Sequence, residues 1–245
     1  PASISTAQER LSLRAAVTQQ FTTLGPQRIS GLQWLADSDY YSYRSEDGKT
    51  MMLGSANVGE DTELLTAAAL SEAINAKEAL QRIPPYKWES ATQFRINVED
   101  QYFIYDTKLK KARKVMDTNP KAEHMEYAPK GDACAFTIDN NLYVVTPAGD
   151  QQITHETNTG IVCGQAVHRY EFGVAKGTFW SADGSKLGFY RKDETMVSEY
   201  PLVDHTTRPA SLNSIRYPMA GMTSEQVTFG IYDLNTRKTV YLKTG

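Results

Sequence analysis

Apolar and polar residues alternate in many short runs along this chain, which is the pattern of strands that bury one face. Tyr102–Asp106 and Asn141–Val145 are two such runs. A third run, Val227–Asp233, is followed across a short polar turn by Thr239–Leu242, which predicts a hairpin. The pattern therefore predicts a mainly β fold.

A unit made of an aromatic residue, a polar turn and a strand-like run recurs four times. The aromatic residues that open the units are Trp34, Trp88, Tyr127 and Trp180, which lie 54, 39 and 53 residues apart. These spacings bracket the roughly 40–50 residues of a four-stranded propeller blade, in which the aromatic residue ends a strand and packs between neighbouring blades. We therefore predict a partial β-propeller of about four blades, with residues 1–245 as part of one propeller domain.

Two segments do not have the strand pattern. Residues 4–18 predict a short N-terminal helix. Residues 63–80 carry an apolar stripe at helical spacing, and Pro84 and Pro85 stop it. We predict that the second segment is a helix inserted between the first and second blades.

Composition and charge exclude some classes of function. Hydrophobic residues make up 40% and charged residues 22%, which is ordinary for a globular protein. The net charge of −3 argues against a nucleic-acid-binding surface, which needs clustered Lys and Arg. The one basic cluster, residues 108–114, follows a predicted strand and is interpreted as a solvated hairpin turn. No apolar run reaches the roughly 18 residues that a membrane-spanning helix needs.

The residues that carry common catalytic or metal chemistry are sparse. Cys134 and Cys163 are too few for a disulfide framework or a zinc site, and the apolar run around Cys134 predicts a buried free thiol. The four histidines lack metal-site spacing, and no Gly-X-Ser-X-Gly elbow is present. We predict no catalytic triad, metal or cofactor within these residues.

Two runs of sequence resemble the propeller domain of the dipeptidyl peptidase IV-like serine peptidases, in the prolyl oligopeptidase superfamily. The first run is Gly164–Gly173, which continues to Gly184, and the second is Arg216–Gly221. The resemblance to bacterial members covers most of the chain, from residue 20 or so. It implies the first half of an eight-bladed propeller, which gates the active site and holds the amino terminus of the substrate. It also implies that the cutting machinery lies in a C-terminal α/β-hydrolase domain, absent from these residues.

The resemblance assigns roles to the run Arg169–Gly173. In the family, a short segment here carries adjacent Glu residues that bind the α-ammonium of the substrate through charge-assisted hydrogen bonds. In this chain the one acid is Glu171, preceded by Tyr170 and Arg169, and these three are the implied substrate-binding residues. The alternative is that Arg169 and Glu171 form a structural ion pair.

A fourth candidate residue is Arg95. The family uses an Arg of the second blade to contact the substrate carbonyl, and the matching position here is Arg95. The alternative is a strand residue that faces outward.

The implied activity of the intact protein is the release of N-terminal dipeptides by an acyl-enzyme route, with Pro or Ala at the second position of the substrate. The implied partners are the peptide substrate and the C-terminal hydrolase domain of the same protein, and the implied location is periplasmic or extracellular. Unpaired strands at the ends of a half-propeller predict a homo-oligomer. The alternative from a different class is a non-catalytic β-propeller that acts as a binding or scaffold module.

Overall fold

A computed structural model describes residues 11–26, 29–57, 59–130 and 132–243. Strands dominate these residues, so the prediction of a mainly β fold is confirmed. The chain divides into two compact units. The first comprises the described residues up to Glu72 together with Ala76–Ile83, and the second comprises Ala73–Asn75 and the described residues from Pro84 onward. The assignment of residues 1–245 to one propeller domain stays a prediction.

The first unit is built on an antiparallel sheet whose strands follow one another in sequence order. Its strands are β1 (Ser30–Trp34), β2 (Tyr40–Arg44), β3 (Thr50–Ser55) and β4 (Thr62–Thr66). It also contains helix α1, Leu13–Gln19, whose first turn is capped by the Ser12 hydroxyl accepting from the Ala15 N–H at 3.1 Å. Helix α1 overlaps the predicted N-terminal helix, 4–18, although residues 11 and 12 are not helical. Residues 4–10 of that prediction lie outside the described residues.

The inserted helix, α2, is shorter than predicted and spans Ala67–Ile74. The segment before it belongs to β4, and the Thr66 hydroxyl accepts from the Ala69 N–H at 3.1 Å as an N-cap. The helix ends because Asn75 adopts a left-handed φ of 52°. The predicted range 63–80 was therefore wrong at both ends. The boundaries of the helix are set by groups that cap its ends, and the apolar stripe does not reveal them.

The second unit contains the remaining sheets, and two of them are regular four-stranded antiparallel sheets in sequence order. The second sheet consists of β5 (Tyr86–Trp88), β6 (Gln93–Val98), β7 (Gln101–Asp106) and β8 (Lys111–Asp117). The third consists of β9 (Glu123–Tyr127), β10 (Cys134–Ile138), β11 (Asn141–Thr146) and β12 (Gly149–Gln152). The basic cluster lies in the exposed β7–β8 hairpin, as predicted.

The fourth sheet has five strands, because two short strands pair with different halves of one long strand. Its strands are β13 (Ile161–Cys163), β14 (Thr178–Trp180), β15 (Lys186–Asp193), β18 (Gln226–Asp233) and β19 (Lys238–Tyr241). The predicted β18–β19 hairpin is confirmed, with Ile231 opposite Val240. The turn before β15 uses Gly184 at φ 73°, as its Asp-Gly sequence predicts.

A further hairpin between β15 and β18 was not predicted. It consists of β16 (Glu199–Asp204) and β17 (Ser211–Arg216), which pair with each other alone. Most of its residues are exposed, so no alternating buried face marks it in the sequence.

Each aromatic residue that opens a repeat ends a strand, as predicted: these strands are β1, β5, β9 and β14. In the second unit, the Tyr127 ring stacks on Tyr102 of the preceding sheet with ring centres 4.4 Å apart. Trp180 Nε1 donates to the Glu126 carbonyl, also in the preceding sheet, at 2.9 Å. In the first unit, Trp34 is 60% exposed and contacts Tyr41 of its own sheet. The buried core between the third and fourth sheets includes Ala135, Leu142, Leu187 and Phe189, all 0% exposed.

Candidate functional site

A left-handed backbone turn carries three of the four predicted site residues. His168, Arg169 and Tyr170 have φ values of 51°, 51° and 63°, and Phe172 has a φ of 56°. Each non-glycine residue in this region costs roughly 1–2 kcal/mol relative to ordinary backbone. Such strain persists where surrounding contacts fix the segment, and it is concentrated at functional sites. We therefore expect contacts with other parts of the chain to hold this turn in place.

Three tethers from three different elements hold consecutive residues of the turn. The Glu225 carboxylate, next to β18, accepts from the His168 N–H at 3.1 Å. The Arg169 guanidinium donates to the carbonyl of Arg216, at the end of β17. The third tether is the hydrogen bond between the Tyr170 hydroxyl and a ring nitrogen of a histidine in β9.

That histidine is His124, whose Nε2 lies 3.0 Å from the Tyr170 hydroxyl oxygen. Its Nδ1 lies 2.8 Å from the hydroxyl oxygen of Thr137 in β10, which is fully buried. Sequence reasoning did not identify His124, because its contact with Tyr170 joins positions 46 residues apart.

The carboxylate of Glu225 is suited to its role as a tether. Its side chain is 10% exposed, and His168 Nδ1 lies 3.4 Å from the same oxygen that accepts the His168 N–H. Burial alone would raise the pKa of Glu225, but the His168 N–H bond and the nearby positive charge of Lys192 lower it overall. Glu225 therefore stays ionised and keeps its acceptor.

Glu171 follows the three tethered residues and is exposed. Its backbone N–H donates to the His168 carbonyl at 2.8 Å. Its carboxylate has no hydrogen bond or ion pair to any residue that the structure describes. The proposed Arg169–Glu171 ion pair is thus wrong, since Arg169 is engaged by Arg216. A fixed backbone and a free carboxylate form a binding group for a cation.

A cavity of about 250 Å³ lies behind Tyr170, bounded also by His124 and by Glu126 of β9. Glu126 is already neutralised, since Lys176 contacts one carboxylate oxygen at 2.5 Å and the Thr178 hydroxyl donates to the other at 2.5 Å. Among the described residues that line the cavity there is therefore no free carboxylate that could act together with Glu171, which follows Tyr170 in the chain.

Arg95 is not part of this group. It lies in β6, its side chain is 12% exposed, and its guanidinium pairs with Glu89 at 2.7 Å. It also lies over the Tyr127 ring, 4.9 Å from the ring centre. The interpretation of Arg95 as an outward-facing residue is therefore wrong, and no contact of the described residues joins Arg95 to the turn. Its substrate role stays a prediction.

Other chemistry is limited in the described residues. The two cysteines are buried free thiols, as predicted for Cys134, and burial raises the pKa of Cys134 to about 12 and that of Cys163 to about 11. Within the described ranges, no three His, Cys, Asp or Glu side chains are grouped as metal ligands would be. None of the described helices has the length and apolar character needed to cross a membrane.

Comparison with known proteins relates this chain and its fold to one family. The model of the dipeptidyl peptidase IV (DPP IV) N-terminal region matches residues 86–245, which include the whole candidate site. A probable dipeptidyl peptidase 4 from Aspergillus fumigatus is 26% identical over 93% of this chain and 31% of its own length. A probable dipeptidyl-aminopeptidase B from Phaeosphaeria nodorum is 26% identical over 84% of this chain and 25% of its own length.

Solved structures agree with the sequence comparisons. A candidate dipeptidyl aminopeptidase IV from Bacteroides ovatus is 36% identical with a TM-score of 0.77, over 89% of this chain and 30% of that one. Porphyromonas gingivalis dipeptidyl peptidase 4 has the same fold, with a TM-score of 0.73 at 20% identity. The prediction of a partial propeller is thereby confirmed. The chain spans about a third or less of the length of these relatives.

Proposed function

Because this chain belongs to the family of dipeptidyl peptidase IV N-terminal regions, we propose that it admits and anchors peptides in a serine peptidase that releases N-terminal dipeptides. The anchoring group in this proposal is Glu171, which binds the free α-ammonium of the peptide. The hydrolase domain of the same protein then supplies the nucleophile, and the propeller restricts access to it. A periplasmic or extracellular location, and self-association through open sheet edges, belong to the same proposal.

The free carboxylate of Glu171 is the observation that carries the proposal. It follows directly after three residues that are each tethered by a different element. Because the backbone is already fixed, binding costs only the side-chain freedom of Glu171, so more of the interaction energy remains as affinity than on a mobile segment. The hydrogen bonds from an ammonium to an ionised carboxylate are the strong, charge-assisted kind.

A single anchoring acid has a consequence for specificity. The run Arg169–Gly173 contains one carboxylate, and the nearby Glu126 is neutralised by Lys176. Recognition of the amine therefore depends on Glu171 alone among the described side chains of this cavity and turn. Its loss removes all discrimination that this region provides between free and blocked amino termini.

The experiment compares wild type and Glu171→Gln in the full-length protein. The substrates are Ala-Pro p-nitroanilide and its Nα-acetyl derivative, and kcat/KM is measured for both. Loss of a hydrogen bond to a charged group is expected to lower kcat/KM for the free-amine substrate by about 10-fold to 100-fold. The acetylated substrate, which has no ammonium, is expected to be unaffected.

The matched control is Glu199→Gln, which removes an exposed carboxylate of β16. It should leave both substrates unchanged. Equal kinetics for Glu171→Gln and wild type would refute the anchoring role. A full-length protein that hydrolyses neither substrate, but binds a folded protein, would support the binding or scaffold module instead.

A further inference from the structure

The Tyr170 hydroxyl ends a chain of hydrogen bonds that begins in the buried part of the third sheet. The Thr137 hydroxyl oxygen lies 2.8 Å from His124 Nδ1 and 3.4 Å from the Glu123 carbonyl oxygen, so its shorter hydrogen bond is to the ring. Nε2 of the same ring lies 3.0 Å from the Tyr170 hydroxyl oxygen. Either neutral tautomer of His124 supports both bonds, because each hydroxyl can donate or accept.

The backbone around His124 is irregular in a way that aims this side chain. Across β9 and β10, Ala135 pairs with Glu126 and Thr137 pairs with Glu123, so two residues of β9 lie opposite one residue of β10. This is a β-bulge, and His124 within it has a left-handed φ of 50°. Bulges commonly redirect a side chain next to a functional site. Here the redirected side chain reaches the strained turn.

We propose that His124 is a positioning residue, which holds Tyr170 and thereby fixes the backbone that presents the carboxylate of Glu171 for amine binding. The functional half of this inference rests on the proposed function of Glu171. Tyr170 is 56% exposed, so packing contributes little to its position and the hydrogen bond contributes much. Tyr170 then acts on the substrate through Glu171, because its own hydroxyl is engaged.

Two amide substitutions of His124 separate the two ring nitrogens. The amide of Asn reaches the position of Nδ1, so His124→Asn keeps a partner for Thr137 but loses the partner of the Tyr170 hydroxyl. The longer amide of Gln reaches the position of Nε2, so His124→Gln keeps a hydrogen-bond partner for Tyr170. Asn also tolerates left-handed backbone, so His124→Asn does not add strain at this position. Tyr170→Phe removes the hydroxyl and keeps the ring.

The first readout is amide hydrogen exchange in the full-length protein without any peptide. The amides observed are those of Glu171 and Val174, which donate within the turn to His168 and Glu171. Loss of one hydrogen bond is expected to speed their exchange by about threefold to tenfold in His124→Asn and Tyr170→Phe. His124→Gln should exchange as wild type. Amides of the buried strand β10 should not change in any variant.

The second readout is KM and kcat for Ala-Pro p-nitroanilide. His124→Asn and Tyr170→Phe are expected to raise KM by about threefold to tenfold with kcat nearly unchanged, because ground-state anchoring is weakened. The double variant should be no worse than either single variant, since both remove the same bond. His205→Asn, at an exposed position next to β16, is the control and should match wild type.

The outcomes for the two proposals are distinct. Unchanged exchange at Glu171 and Val174 in both His124→Asn and Tyr170→Phe would overturn the positioning role, whatever Glu171 binds. Equally fast exchange throughout β10 would also overturn it, because His124 would then support the sheet in general. If exchange is faster in His124→Asn and Tyr170→Phe, but the kinetics of these variants and of Glu171→Gln match the wild type, the positioning role is retained and the anchoring function is rejected.

Discussion

The Arg169 guanidinium donates a hydrogen bond to the backbone carbonyl of Arg216, 47 positions along the chain. This bond joins the two sequence runs that resemble the peptidase family. Arg216 in turn donates to the carbonyls of Glu194 and Val197, at 3.2 and 3.3 Å. The turn that carries Glu171 is thus connected, through Arg216, to the loop between β15 and β16.

Substitution of Arg169 should loosen the turn while the sheets stay intact. We expect Arg169→Asn to weaken the binding of a free-amine peptide by about threefold to tenfold, because one tether is lost. The exposed position and the tolerance of Asn for left-handed backbone keep the effect on the free energy of unfolding small. Isothermal titration with the peptide and urea unfolding measure the two effects.

The control for that prediction is Arg237→Asn. Arg237 is also exposed and has a left-handed φ of 57°, but it lies in the β18–β19 turn. Arg237→Asn should change neither the affinity for the peptide nor the free energy of unfolding. A similar loss of binding in Arg237→Asn would show that the effect of Arg169→Asn comes from charge alone.

Phe172 should contribute almost nothing to stability despite its size. Its ring is 88% exposed, whereas that of Phe189 is fully buried in the core of the third and fourth sheets. We expect Phe172→Ala to change the free energy of unfolding by less than about 0.5 kcal/mol, and Phe189→Ala to lower it by about 3–5 kcal/mol. Urea unfolding of both variants tests this, and a large loss in Phe172→Ala would reveal a packing role for that ring.

Alkaline pH should destabilise the fold. Burial raises the pKa of Cys134 from 9.0 to about 12 and that of Tyr102 from 10.0 to about 12, so the folded state holds protons that the unfolded state releases. The contribution of these groups to the free energy of unfolding is fully present below about pH 9. It is lost as the pH rises toward their pKa values in the folded state. The free energy of unfolding should therefore fall between about pH 9 and 12.

The Cys134→Ala variant isolates one of these groups. It removes an ionisable thiol, so the alkaline loss of stability should be smaller than in the wild type even if the variant is less stable at neutral pH. An equally steep loss in both proteins would assign the effect to other groups. Thiol titration at neutral pH, with no reaction until urea is added, would confirm that both cysteines stay protected.

Arg95 provides a test of structural against substrate-binding roles. We expect Arg95→Met to lower the free energy of unfolding by about 2 kcal/mol, since it leaves Glu89 unpaired and removes the contact with Tyr127. Peptide affinity should stay the same. The control is Arg113→Met, whose pair with Asp132 is exposed and should contribute no more than about 0.5 kcal/mol. Weaker peptide binding at unchanged stability would support the predicted substrate role of Arg95.

Local patterns predicted the sheets well and the helices less well. In β7, β11 and β18 the alternation of apolar and polar residues determines which side chains are buried, so these strands could be predicted from the sequence. The limits of α2 depended on the Thr66 hydroxyl and on the left-handed Asn75, which no apolar stripe reveals. The β16–β17 hairpin has exposed residues on both faces, so it lacked the pattern that marks a strand.

The sequence by itself determined the strand runs, the four aromatic residues that open the repeats, and the family to which the Glu171 run is similar. These features depend on neighbours in the chain or on short motifs. The tertiary structure decided which groups surround Glu171, because His124, Arg216 and Glu225 reach the turn from 46, 47 and 57 positions away. It also decided the left-handed conformation of His168, Arg169 and Tyr170, because local preference opposes it and contacts with distant elements stabilise it.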